Sequence, residues 1–222
     1  QGNREKAVQH WHCGLELLAQ NPDHVEAALL YHELGRLHFR SGDDQQAIVW
    51  AQKALALGQR LDAPEVVSQA FNTLGVSLAR QGELEEGIAQ VKQSLRIALQ
   101  HEQSIAACRA YTNLGMLLSA VDREQALFYC HEGLALAKKI GDLSQQSWLY
   151  ASVASSFCSL VGDCSQGLEA AEASIALDQQ LGQRDHLPIP LILLAQIHQC
   201  QEQLEESEQY YLEACVIAEE TG

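Results

Sequence analysis

The chain has 222 residues, 47% of them apolar and 19% charged, a balance that suits an ordered protein and excludes a disordered one. Its net charge is -15 with only 14 Lys and Arg and no basic run of five, which argues against a surface for nucleic-acid phosphates or anionic lipid. No run of 18 apolar residues offers a membrane span, and the opening QGNREKAVQH lies within a helical pattern without a starting methionine, so the chain is expected to be a fragment of a larger protein.

Apolar residues at i, i+3, i+4 and i+7 predict helices along the whole length. The first covers 3–19 and carries EKAVQHWHCGL. Helices over 24–41 and 44–60 follow, with Leu30, Leu34, Leu37, Ala47, Trp50, Ala51, Ala54 and Leu55 as their apolar stripes and SGDD at 41–44 as the break. LDAPE at 61–65 leads into helices over 64–81 and 84–100, which are separated by QGEL. The next pair, 103–120 and 123–140, has a connection one residue shorter. IGDLS at 140–144 precedes 144–161, and VGDC at 161–164 precedes 164–181. LGQRDHLP at 181–188 opens the last pair, 187–201 and 204–220, which makes eleven helices and no alternating strand pattern. Glycine in these breaks can take the left-handed geometry that ends a helix, and the following acid favours the next helix's start. The four prolines, at 22, 64, 188 and 190, all lie near helix starts, where proline is tolerated.

A period of forty residues runs through these elements. YTNLGMLL at 111–118 has counterparts in FNTLGVSL, YHELGRLH, ASVASSFC and LILLAQIH, so one slot holds Gly35, Gly75, Gly115, Ser155 and Ala195. The slot before it holds Leu34, Leu74, Leu114, Ala154 and Leu194. In the second helices a small residue recurs as Ala7, Ala47, Gly87, Ala126, Gly167 and Ser207, with Leu15, Leu55, Leu95, Leu134, Ile175 and Cys215 eight positions on. Glycine costs a helix interior roughly 1 kcal/mol relative to alanine. Its recurrence predicts that two helices cross there too closely for a side chain, and that packing offsets the cost.

The triplets Gly35, Ala47, Ala54; Gly75, Gly87, Ser94; Gly115, Ala126, Gly133; Ser155, Gly167, Ser174; and Ala195, Ser207, Ala214 resemble the tetratricopeptide repeat. The resemblance covers essentially the whole chain. It departs from the family in its longer unit and in lacking the proline that closes the second helix, and so is similar to the long-helix branch found in bacterial signalling regulators and polarity scaffolds. It implies an all-α, right-handed superhelical solenoid of antiparallel helix pairs. It also implies a single array over 1–222, with a half repeat at 1–22 and units at 23–62, 63–102, 103–142, 143–182 and 183–222. The first helix of each pair would line a concave groove for a peptide or partner helix. The lining residues expected are Leu29, His32 and Arg36; Gln69, Asn72 and Thr73; Arg109, Thr112, Asn113 and Met116; and Ser152 and Ser156. Asn113 matches the family slot that holds a peptide backbone, since an amide both donates and accepts. The Lys and Asn pattern of the two-carboxylate clamp for chaperone tails is absent.

Little points to chemistry. His10, His12 and Cys13 do not share one helix face, and a zinc site needs three or four ligands. Glu85–Glu86 and Glu205–Glu206 open helices, where negative charge meets the dipole. The seven cysteines have no framework spacing and read as mostly buried free thiols of a cytoplasmic protein, with Cys158 and Cys164 able to approach across a turn. No catalytic role, cofactor or metal is expected. The expected function is an interaction or sensor module of a signalling or transcriptional regulator. A sugar-like effector domain, favoured by the Ser, Thr and Asn lining, and an architectural or self-associating scaffold are the alternatives.

Overall fold

A computed structural model describes residues 23–158 and 164–221, with His10, Cys13, Gly14 and Glu16 ahead of them. The expected helix over 3–19, most of the turn at 161–164 and His12 therefore lie outside the described residues. Among those described the chain forms ten helices and no strand. They are α1 Val25–Arg40, α2 Asp44–Arg60, α3 Pro64–Arg80, α4 Leu84–Gln100, α5 Ser104–Leu118, α6 Arg123–Ile140, α7 Leu143–Ser155, α8 Ser165–Leu181, α9 Pro188–Cys200 and α10 Leu204–Thr221. None is long and apolar enough to cross a membrane.

The boundaries follow local chemistry. Asp43, Asp122 and Asp142 cap α2, α6 and α7, each carboxylate accepting from a backbone N–H three residues on, at 3.2, 3.0 and 2.9 Å. Among the described residues left-handed geometry recurs at spacings of about twenty or forty positions, at Gly42, Asp62, Gly82, Glu102, Gly141, Gly182 and Glu202. Glycine takes this geometry without strain, whereas Asp62, Glu102 and Glu202 hold it against a cost of roughly 1 kcal/mol each. Helix α7 stops at Ser155 rather than at the expected 161. There Ser152 donates to Trp148 O at 3.0 Å and Ser156 to Ser152 O at 3.3 Å, and the backbone tightens into i to i+3 bonds from Ser156 to Val153 and from Phe157 to Ala154. Serine hydroxyls compete with the helical ladder at this point, and the tighter turn ends it.

Contacts divide the chain into two compact units, 1–110 and 111–222, each with the same plan. In the first unit α1 packs on α2, α2 on α3 and α3 on α4, and α1 also lies beside α3. In the second α6 packs on α7, α7 on α8, α8 on α9 and α9 on α10, and α7 lies beside α9. Each unit is thus a stack of antiparallel helix pairs whose first helices are neighbours. The leucine slot forms its centre, since Leu34, Leu114 and Leu194 are almost wholly buried.

The recurrent small residues sit where helices cross. A methyl placed on Gly75 would stand 2.6 Å from Gly87 O and 3.0 Å from Val91 N, and one on Gly87 would stand 2.5 Å from Gly75 O. Helices α3 and α4 therefore touch backbone to backbone. A methyl on Gly115 would collide with Cys130 Sγ, and one on Gly133 would lie 2.6 Å from Leu149 Cδ2 and 2.7 Å from Tyr111 Cβ. The α1–α2 crossing is looser, for a methyl on Gly35 would meet Ala51 N at 3.3 Å and Ala47 O at 3.4 Å.

This difference predicts the effect of adding one carbon. Gly75→Ala gains roughly 1 kcal/mol of helix propensity but forces two backbones apart, an overpacking cost of roughly 1–3 kcal/mol or more. Urea unfolding should show it less stable than wild type, whereas Gly35→Ala should stay within about 1 kcal/mol of wild type. A stabilised Gly75→Ala protein would refute the close crossing.

Candidate functional site

Side-by-side packing of first helices covers most of their surface. On α1 the strip left uncovered includes Leu29, 37% exposed, and half-buried Glu33 and Arg36. On α3 it narrows to Gln69, and on the start of α5 it includes Ile105 and Arg109; in the second unit Asn113 is half-buried and Met116 is 43% exposed. The expected lining is corrected accordingly. His32, Asn72, Thr73, Thr112, Ser152 and Ser156 are buried. The expected face was too wide, because the neighbouring first helix fills the flank on which these residues stand. Ser152, with no exposed surface, instead shares its one hydroxyl proton between Trp148 O on its own helix and Thr112 O, 3.2 Å away on α5.

In the first unit the strip gathers charge. Arg36 Nη1 donates to Glu33 Oε1 at 3.1 Å, one turn apart on α1. Beneath them His32 is 2% exposed, with Nε2 3.8 Å from Glu33 Oε1. Neither ring nitrogen meets a partner within hydrogen-bond distance, although Gln69 is near enough to act on the imidazole. Burial pulls the His32 pKa down to about 4, and Arg36 and Arg109 pull the same way against Glu33. Burial also lowers the pKa of Arg109, and Arg36 adds like-charge repulsion that Glu33 partly offsets. Among the described residues no carboxylate lies at ion-pair distance from Arg109, while Arg36 already has Glu33. Two guanidiniums thus face a single carboxylate, a local positive site on a chain of net charge -15.

The second unit holds a polar cluster that the sequence reading missed. Ser147 on α7 donates to Asp178 Oδ1 on α8 at 2.7 Å, and its oxygen lies 3.0 Å from Ser174 Oγ. Asp178 is 2% exposed, and His186 Nδ1 stands 3.9 Å from Asp178 Oδ1. Burial raises the Asp178 pKa and Asp185 adds to the rise, while Ser147 and His186 oppose it. A signal was present: in the forty-residue register Asp178 aligns with Gly58, Ala98 and Ala137, all buried. Ser147 gives its proton to the carboxylate rather than to His186, so the cluster does not activate a nucleophile.

The thiols follow the same division. Burial pushes Cys130 and Cys158 up to about 12, with the Cys200 and Cys164 thiols adding to the effect at Cys158, so neither is a ready nucleophile. Cys13 and Cys215 are exposed. Ile189 is half-buried and Ile192 is 38% exposed.

Sequence models of the tetratricopeptide repeat match residues 1–60 and 191–221. No curated protein sequence matches the chain. Among solved structures, a Rap protein complexed with competence and sporulation factor superposes with a TM-score of 0.76 at 16% identity, over 99% of this chain and 71% of that one. The Rap conjugation gene regulator of the plasmid pLS20, solved in complex with a Phr peptide, gives 0.71 at 16% identity, over 99% and 70%. BtubC from P. vanneervenii gives 0.71 at 19% identity, over 96% and 89%. At these identities the likeness establishes the fold.

The buried imidazole predicts a pH dependence. The unfolded chain protonates His32 near its ordinary 6.5, whereas the folded one resists until about 4. Stability tied to His32 is therefore complete above 6.5 and is lost as pH falls from there towards 4. Between pH 7.5 and 5.5 wild type should lose roughly 1 kcal/mol more than His32→Gln in urea unfolding. Equal losses would mean that the imidazole is hydrated.

Proposed function

We propose, from the premise that the chain is a tetratricopeptide-repeat protein, that it is a non-catalytic interaction module whose first unit binds a segment of a partner on the strip through Leu29, Arg36, Gln69 and Arg109. The observation that carries this reading is Arg109, a half-buried cation that among the described residues has no carboxylate at ion-pair distance. A guanidinium partly stripped of water and repelled by Arg36 is stabilised by an incoming anion. The partner segment therefore presents an acidic group there, with apolar residues against Leu29.

Two solved Rap proteins of this fold are described in complex with competence and sporulation factor and with a Phr peptide, one of them as a gene regulator. By analogy, we assign this chain to a signalling or regulatory protein and its partner to the peptide class. The sugar-effector reading is weaker, because the Ser and Thr hydroxyls that would recognise a sugar are buried.

Selection from a displayed random dodecapeptide library tests the assignment. Peptides enriched in Asp or Glu should be recovered. Arg109→Gln should weaken the best of them by about tenfold, as expected for a lost charge-assisted hydrogen bond, and Asn113→Ala by a smaller factor. Failure to recover any binder, together with concentration-dependent dimerisation in light scattering, would favour the scaffold reading instead.

A further inference from the structure

We propose that Asp178 and His186 form a proton-responsive latch, in which an imidazolium on His186 closes onto the buried Asp178 carboxylate and pins the connection between α8 and α9 against α7. The latch stands apart from the interaction strip and does not depend on it.

Three observations meet here. First, the cluster breaks the rule of its own repeat. Positions equivalent to Asp178 hold Gly58, Ala98 and Ala137, and those equivalent to Ser147 hold Val67, Ala107 and Leu187, all buried. A carboxylate in such a slot costs several kcal/mol unless it is paired. Secondly, its pairing is incomplete. Ser147 supplies one hydrogen bond at 2.7 Å, and the nearest group able to carry positive charge is His186, whose buried Nδ1 has no partner and stops 3.9 Å short. A movement of about 1 Å would make a charge-assisted hydrogen bond. Thirdly, His186 lies in the connection that enters α9. The next residue, Leu187, is buried with Leu191, Ala214 and Ile217, so the latch acts where the last helix pair is anchored.

The surrounding charges are few. Asp185 Oδ2 lies 3.9 Å from His186 Nε2, and Arg184 is engaged with Glu220 of α10 at 2.6 Å. Helix α7 presents Ser147 and Trp148, and the titratable groups of α9, His198 and Cys200, lie towards its far end. Protonation of His186 therefore turns a gap into an ion pair between two carboxylates. The added pairing exists only where His186 carries a proton.

Trp148 makes the latch visible, because its ring lies 4.8 Å from the His186 ring and an imidazolium quenches indole emission more than a neutral imidazole does. In the full chain, tryptophan emission should fall as pH drops from 8 to 5. His186→Gln should remove that component, and Asp178→Asn should move its midpoint to lower pH. Hydrogen exchange over 183–191, corrected for intrinsic rate, should slow roughly threefold on the acid side, the size expected of a partly exposed ion pair. Should Asp178→Asn not fold, carbon-detected titration of wild type replaces it: the Asp178 carboxyl and His186 imidazole carbons should share an inflection. Quenching that survives His186→Gln, an unmoved midpoint in Asp178→Asn, unchanged exchange, or separate inflections would each overturn the latch.

Discussion

At the α3–α4 crossing two backbones meet with no side chain between them, Gly75 against Gly87. Everything else in the repeat follows from that approach. Close crossing lets Leu74, Val91 and Leu95 fill the space around it, and that burial offsets the helix cost of two glycines. Because a repeat shares its faces with its neighbours, the same constraint recurs. Gly115 and Gly133 use it against Cys130 and Leu149, and Gly167 uses it against Phe157 and Ile197. The α1–α2 contact is the looser member of the series, since a methyl on Gly35 would be tight against Ala51 N at 3.3 Å without the overlap found at Gly75.

Tight stacking also decides what remains for a partner. Once α1 lies beside α3 and α7 beside α9, a first helix keeps only a strip about one residue wide open to solvent. Polar residues one position off that strip are consumed by the fold. Ser152 spends its hydroxyl on backbone carbonyls, and His32 is sealed beneath Glu33 and Arg36. What stays outward on the first helices of the first unit is sparse: Leu29 and Ile105 are exposed, and Arg36, Gln69 and Arg109 are half-buried.

The second unit departs from this uniformity at two facing slots, those of Asp178 and Ser147. Asp178 brings a carboxylate into a position where other repeats place hydrogen or methyl, and the Ser147 hydroxyl answers it, with Ser174 Oγ beside that of Ser147. A carboxylate retained in such a place and only partly satisfied makes the packing of α7 on α8 sensitive to where a proton sits, while the apolar crossings elsewhere are indifferent to it.

The elements, their order and the family resemblance were legible in the sequence, because helical periodicity, acid-capped turns and the forty-residue spacing of small residues are local or repeating signals. Helix starts at Asp44, Leu84 and Arg123 could be read from residues beside them. The early end of α7 could not, since it depends on hydroxyls competing with carbonyls at a place where the apolar pattern continues. Periodicity placed a face on each first helix but not its width. Whether Thr73 or Ser152 meets water is fixed by the helix alongside, some forty residues away in sequence. The desolvation of Arg109 near Arg36 and the meeting of Ser147, Asp178 and His186 are likewise products of packing: desolvation and pairing depend on distances between helices, and a linear pattern does not encode them.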